Sequence, residues 1–140
     1  ATCDGFFFKN QKVIVVGGTN AKGSTCFNLN YNLSEAGFKV GCFTSPHLHS
    51  VRERIRIGKD LIPIEEFSKI LTEIKDICIQ KRIEITYFEA LTAAAYYYFS
   101  KINVDYAIME IGLGGEWDAV NIASPIIAIL TTLGIVSLLI

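Results

Sequence analysis

The sequence predicts an α/β fold, a mostly parallel sheet flanked by helices. Three observations predict it. Four short apolar runs of strand length recur along the chain, and segments with three- and four-residue apolar spacing stand between them. Hydrophobic residues make up 51% of the 140 residues, enough to cover a sheet on both faces. Three of the four runs end in residues suited to a ligand: Gly17-Gly18, Thr44-Ser45 and Glu110-Ile111-Gly112. In a parallel sheet, ligands bind beyond the carboxyl ends of the strands.

The first run, Lys12–Val16, is β-branched and closed by two glycines. Lys22–Ala36 follows as a helix, with Leu29, Leu33 and Ala36 on one face and Gly37 as its stop. Lys39–Thr44 is a second strand. Ser45-Pro46-His47 is a loop, because proline disfavours the helical region for its predecessor. Arg52–Ile57 alternates in charge before the turn Gly58-Lys59-Asp60, which predicts a small surface hairpin. Ile64–Lys81 repeats Ile64, Phe67, Leu71, Ile74 and Cys78 on one helical face. Phe88–Ser100 is apolar nearly all round and reads as a buried helix, its Tyr96–Phe99 run being packing. Asp105–Ile111 and Pro125–Thr131 complete the strands.

The length fits one domain or a piece of one. A formal net charge of −1 gives no general attraction to nucleic acid or to an anionic membrane. Cys3, Cys26, Cys42 and Cys78 lack metal-like spacing, and three of them sit inside apolar segments, so they read as small core residues of a reducing compartment. No signal peptide is visible. The apolar run Ile126–Ile140 falls short of the roughly 20 residues of a spanning helix and reads as a buried strand and a cut end. A monomer in the cytoplasm is expected, with the mitochondrion left open.

The chemistry concentrates in Gly18-Thr19-Asn20-Ala21-Lys22-Gly23-Ser24-Thr25. Glycines between a strand and a helix let backbone N–H groups turn toward an anion, and the helix amino terminus adds partial positive charge. Lys22 would lie against terminal phosphates, and Ser24, with Thr25 beside it, would offer a hydroxyl to magnesium. The same residues also suit an ordinary strand–helix turn with a hydroxyl cap. Glu110, at the end of a buried strand, needs a partner or a hard cation unless it faces solvent. Asp118 and Asn121 lie in a glycine-rich loop and suit turn hydrogen bonds. Ile85–Ala90 is a strand or a helix start with aromatic core residues.

The order Gly-Thr-Asn-X-Lys-Gly-Ser-Thr resembles the phosphate loop of folylpolyglutamate and dihydrofolate synthases, within the Mur ligase superfamily of ATP-dependent amide-forming enzymes. Two further strings are similar to that family's signatures, Ser45-Pro-His-Leu48 with Glu53-Arg-Ile-Arg-Ile57, and Glu110-Ile-Gly-Leu-Gly-Gly115 with Asp118 and Asn121. The resemblance implies a P-loop NTPase-like central domain, present here in incomplete form over residues 1–140, with the C-terminal ligase domain absent. It implies ATP and Mg2+ as cofactors, with folate or dihydropteroate and L-glutamate as substrates. ATP would phosphorylate a substrate carboxylate, and glutamate's amine would displace the phosphate. Lys22 and Glu110 would be catalytic, the nucleotide would lie on Gly18–Thr25, and Ser24, Ser45 and Glu110 would ligate magnesium. Phe88, Glu89, Gly114, Gly115, Asp118 and Asn121 would meet the acyl substrate. His47, Arg52 and Arg54 are loop candidates without an assigned role.

Four departures from that pattern stand out. Ala21 occupies a position usually held by glycine, at a cost of about 1–2 kcal/mol if its φ is positive. Glu116 stands where arginine is frequent. Gly134-Ile-Val-Ser137 replaces a Gly-X-Asp-His string that supplies a further metal-ligand histidine, and the family chain is far longer. The expectation is a chain inactive by itself, which glutamate-dependent ADP formation by the purified polypeptide would refute. A cell-wall amide ligase and a non-catalytic nucleotide-binding remnant are the alternatives.

Overall fold

The computed structural model describes residues 11–113, 115 and 118–134. Six strands, β1 (Lys12–Gly17), β2 (Val40–Phe43), β3 (Ile55–Ile57), β4 (Asp60–Leu61), β5 (Tyr106–Glu110) and β6 (Ile127–Leu130), form one sheet in the order β4-β3-β2-β5-β1-β6. The four strands expected from the sequence run parallel: β1 pairs with β5 and β6, and β2 with β5. The helices are α1 (Lys22–Glu35), α2 (Ile64–Lys81) and α3 (Tyr87–Lys101).

Strand alternation divides the core into two layers. Ile14, Val16, Val40, Cys42 and Ile108 face α1, where Cys26 is fully buried and Leu29 and Leu33 pack beside it. Val13, Val15, Phe43, Ala107 and Met109 face the opposite side, against Phe67 and Ile70 of α2 and Leu91, Ala95 and Phe99 of α3. Leu29 and Leu33 of α1 and Phe67, Leu71 and Ile74 of α2 lie on the faces expected from spacing. Ala36, however, is exposed beyond the end of α1, Ile64 is exposed in the first turn of α2, and Ile70, one turn on from Phe67, is fully buried in place of Ile64. Tyr96, Tyr98 and Phe99 are core, as expected. The thiols of Cys26 and Cys42 are free, and burial pushes that of Cys42 up to about 12.

Two further expectations are corrected. The Arg52–Asp60 segment is no surface appendage. A 3-10 turn (Val51–Arg54) leads into β3, which pairs antiparallel with β2, and β4 follows antiparallel to β3. Ile55 is fully buried, so the hairpin extends the main sheet and makes it mixed. The start of the C-terminal apolar run forms β6, but as the edge strand beside β1 it is largely exposed, not the buried strand expected. Among the described residues, no helix is long and apolar enough to cross a membrane.

Gly41 lies where the α3 layer meets β2. A Cβ there would stand 2.6 Å from the Phe99 ring. Gly41→Ala must displace a fully buried ring, so we expect a loss of about 1–3 kcal/mol, read as a lower midpoint in urea unfolding.

Candidate active site

The sheet order decides the site. β5 lies between β1 and β2, so the carboxyl ends of all three strands meet. After β1 the chain turns at Gly18, whose φ is 133°. A Cβ on Gly18 would collide with Thr131 Oγ1 and stand 3.0 Å from the Thr132 backbone, so only glycine fits. The first half of the loop is gripped by the segment after β6. The Thr19 N–H donates to the Thr132 carbonyl (2.7 Å), and the Asn20 N–H to Thr132 Oγ1 (3.1 Å). Thr131 Oγ1 donates to the Asn20 carbonyl (2.6 Å), and the Gly134 N–H to Thr19 Oγ1 (2.8 Å).

The second half of the loop is built differently. Ala21 adopts φ 63° and ψ 7° and opens α1 as its N-cap, the left-handed conformation in which alanine is strained. No side chain caps α1, and its first turn holds no acid. The N–H groups of Lys22, Gly23 and Ser24 therefore lack the intrahelical partners that later residues have. Lys22 Nζ donates to the Gly18 carbonyl (2.8 Å) and bridges the loop. Thr25 Oγ1 donates to the Ala21 carbonyl (2.8 Å), while Ser24 is exposed at the helix start.

Glu110 lies directly beneath this helix start. Its two carboxylate oxygens are 3.7 and 3.9 Å from the Cβ position of Gly23, and the residue is only 3% exposed. Glu110 Oε2 accepts the Ser45 N–H at 2.9 Å. Burial pushes the Glu110 carboxyl above its usual range, against the Ser45 N–H and the charges of Lys22 and Arg54. Among the described residues it makes no close ion pair. A buried carboxylate so poorly compensated fits a hard cation. Among the described residues no group of three His, Cys, Asp or Glu side chains converges on a metal position. The donor set is thus one carboxylate and nearby hydroxyls, which suits Mg2+ carried in with a phosphate chain better than a closed protein cage.

An open cleft of about 540 Å³ continues from Ser45 and Pro46 past Arg54, Thr86, Phe88, Glu89, Gly112 and Asp118. Phe88 packs 5.8 Å from Phe43 and so close to Gly112 that a Cβ there would be 2.7 Å from its ring. Ile85–Ala90 is a helix start: Glu89 accepts the Thr86 N–H, and Thr86 Oγ1 accepts the Glu89 N–H, a reciprocal cap on α3. Asp118, nearly buried, accepts N–H groups from Gly112 (2.8 Å), Leu113 (2.9 Å) and Val120 (2.9 Å). Asn121 Nδ2 donates to the Gly115 carbonyl. These bonds are the turn-forming role read from sequence. Gly114 and Glu116 lie outside the described residues, as does the Ile135–Ser137 string.

The loop after β2 is held by Glu53, whose carboxylate accepts the N–H groups of Leu48, His49 and Ser50. Those donors, Leu48 first, hold its carboxyl down to about 2. Sequence reasoning assigned no individual role to Glu53, Thr131 or Thr132. The signal for the threonines was their place at the end of a strand adjacent to β1; adjacency itself is not written in the sequence.

Two outcomes follow from this geometry. Glu110 has a folded-state pKa above its unfolded one, so its contribution to stability falls as pH rises from the ordinary carboxylate range through the raised value. Glu110→Gln should therefore raise the melting temperature of the metal-free chain at pH 7. The gain should shrink as pH falls toward the ordinary carboxylate range, and scanning calorimetry across pH checks it. Ala21→Gly removes left-handed strain but loosens the unfolded chain. We expect a net gain of about 1 kcal/mol or less, and a loss on this substitution would show that Ala21 is not strained.

No family model matches the chain. It is 38% identical over 123 residues to the Escherichia coli (strain K12) dihydrofolate synthase/folylpolyglutamate synthase, covering 88% of this chain and 29% of that protein. The crystal structure of folylpolyglutamate synthase from Thermotoga maritima superimposes with a TM-score of 0.84 at 38% identity, covering 88% of this chain and 30% of that one. The E. coli FolC structure in complex with DHPP and ADP gives 0.82 at 39% identity, over 86% of this chain and 28% of that one. A bifunctional folylpolyglutamate synthase/dihydrofolate synthase with Mn, AMPPNP and L-glutamate bound gives 0.82 at 38%, over 87% and 30%. The chain thus spans about three-tenths of the length of these proteins. With the three motifs brought together at one end of the same α/β sheet, the chain is similar in sequence and fold to one stretch of the folylpolyglutamate synthase/dihydrofolate synthases.

Proposed function

We propose that the whole protein is an ATP-dependent ligase that joins L-glutamate to the carboxylate of a folate or dihydropteroate, and that residues 1–140 carry part of its ATP-binding domain. The observation that carries this reading is the uncapped start of α1, bridged by Lys22 and seated directly over the buried carboxylate of Glu110. ADP, AMPPNP, Mn, DHPP and L-glutamate in the related structures support it.

In this scheme an oxygen of the acceptor carboxylate attacks the γ-phosphorus. A new P–O bond forms, and the bond to the bridging oxygen breaks as ADP leaves with its electron pair. The amine of glutamate then attacks the acyl carbon, loses a proton, and expels inorganic phosphate. The phosphate chain lies on the Gly18–Thr25 loop, chiefly on the amides of Lys22, Gly23 and Ser24, because those of Thr19 and Asn20 already serve Thr132. Lys22 exchanges its Gly18 partner for phosphate oxygens and offsets their charge. Glu110, Ser45 and Ser24 hold Mg2+, which when bound supplies charge neutralisation at the transferred phosphoryl group. Phe88 packs against the acyl substrate, and Asp118 and Asn121 shape the Gly112–Asn121 loop around it, with Gly114 and Gly115 close by. Glu89 reaches the same cleft from the start of α3. The reaction takes place in the cytoplasm, on a monomer, with neither nucleic acid nor membrane as a partner.

Calorimetric titration of the chain with ATP tests the nucleotide site. We expect magnesium-dependent binding, weakened at least about ten-fold by Lys22→Ala through loss of a charge-assisted contact. Binding indifferent to both magnesium and Lys22 would overturn the site. Binding without turnover by the full-length protein would favour the non-catalytic reading.

A further inference from the structure

Three arginines alternate along Arg52–Arg56, and their side chains go to different places. Arg52 Nη1 donates to the Ile62 carbonyl (3.1 Å). Arg56 Nε donates to the Glu53 carbonyl (3.1 Å) and its guanidinium stands over the Phe27 ring at 5.4 Å. Arg54 alone of the three lines the cleft, beside Ser45 and Phe88. Its Nε donates to His47 Nδ1 at 3.0 Å, and its guanidinium carbon is 5.9 Å from the Tyr87 ring centre. In that hydrogen bond His47 Nδ1 is the acceptor. Among the described residues no carboxylate pairs with Arg54, and its terminal nitrogens make no hydrogen bond. The result is a cleft-lining guanidinium held through Nε, with no close carboxylate partner among the described residues. Such a fork matches a carboxylate. Its field reaches Glu110, so it stands between the metal side of the site and the aromatic side.

We propose that Arg54 recognises the acceptor carboxylate that becomes phosphorylated, and that His47 is the positioning residue that aims it. The assignment rests on the ligase reading above and adds to it the residue that selects an anionic acyl group. No proton moves at Arg54: it holds the carboxylate while an oxygen of that group attacks phosphorus.

The test is calorimetry on the full-length protein with AMPPNP and magnesium present, titrated with pteroate and, separately, with pteroate methyl ester. The ester keeps the ring system and removes the charge. The native chain should prefer the acid by about ten-fold or more. Arg54→Gln should abolish the preference while leaving ester binding as it was, which also reports an intact cleft. Arg54→Lys, with charge but no fork, should retain part of it. His47→Ala should weaken the preference, and His47→Asn should restore it, because the asparagine oxygen accepts from Arg54 Nε in place of Nδ1. Equal binding of acid and ester by the native chain, no binding of pteroate, or a preference that survives Arg54→Gln would overturn the assignment. If AMPPNP binding is meanwhile intact and dependent on Lys22, the ligase reading survives that failure. If AMPPNP does not bind either, both fall.

Discussion

Burial of the Glu110 carboxylate is the constraint around which the site is arranged. A strand that ends in an acid must normally release it to solvent, yet β5 is the third of four parallel strands and its end is roofed by the start of α1. The carboxylate receives one backbone N–H, from Ser45, and distant help from Lys22 and Arg54. The metal-free site is therefore electrostatically incomplete. The same incompleteness appears at α1, whose first N–H groups are left without a capping side chain. An acid without a close cation and a helix start without a cap, facing each other across Gly23, repel neither a cation nor an anion. They suit a ligand that brings both.

The phosphate loop shows how two kinds of stabilisation are divided within eight residues. Gly18, Thr19 and Asn20 are tied to Thr131–Gly134, so this half is fixed by tertiary hydrogen bonds. From Ala21 onward the backbone is shaped by its own conformation and by the helix it begins. Ala21 bears a left-handed φ without the freedom of glycine. The strain is tolerated because both flanks are anchored, by Thr132 before it and by the Thr25 hydrogen bonds to its carbonyl after it.

The acceptor side follows a similar division. Asp118 satisfies three N–H groups at once and folds the Gly112–Asn121 loop against Phe88, while the Tyr96 hydroxyl reaches from α3 to the Val120 carbonyl (2.7 Å). A helix residue that reads as simple packing thus also anchors the cleft wall. Glu89 shows the converse. The family resemblance implies that it meets the acyl substrate, and in the fold it caps α3, a role that the Thr-X-X-Glu spacing itself explains.

Sequence alone determined the elements and the residue types at their ends. Strand runs, helical faces, the glycine-rich loop and the Glu110 strand end are all local patterns of period or composition, and local patterns survive without knowledge of neighbours. The parallel sense of the main strands followed from their alternation with helices. Tertiary structure decided the rest. It placed β5 between β1 and β2, which brings Gly23, Ser45 and Glu110 together. It drew the charged Arg52–Asp60 hairpin into the sheet through the buried Ile55, although its charge alternation reads as solvated surface. It set Thr131 and Thr132 against the phosphate loop across more than a hundred residues, and it sorted three alternating arginines so that only Arg54 enters the cleft. Each of these depends on which strand lies next to which and on which face a side chain emerges. Those are properties of long-range pairing and register, and no local run of residues encodes them.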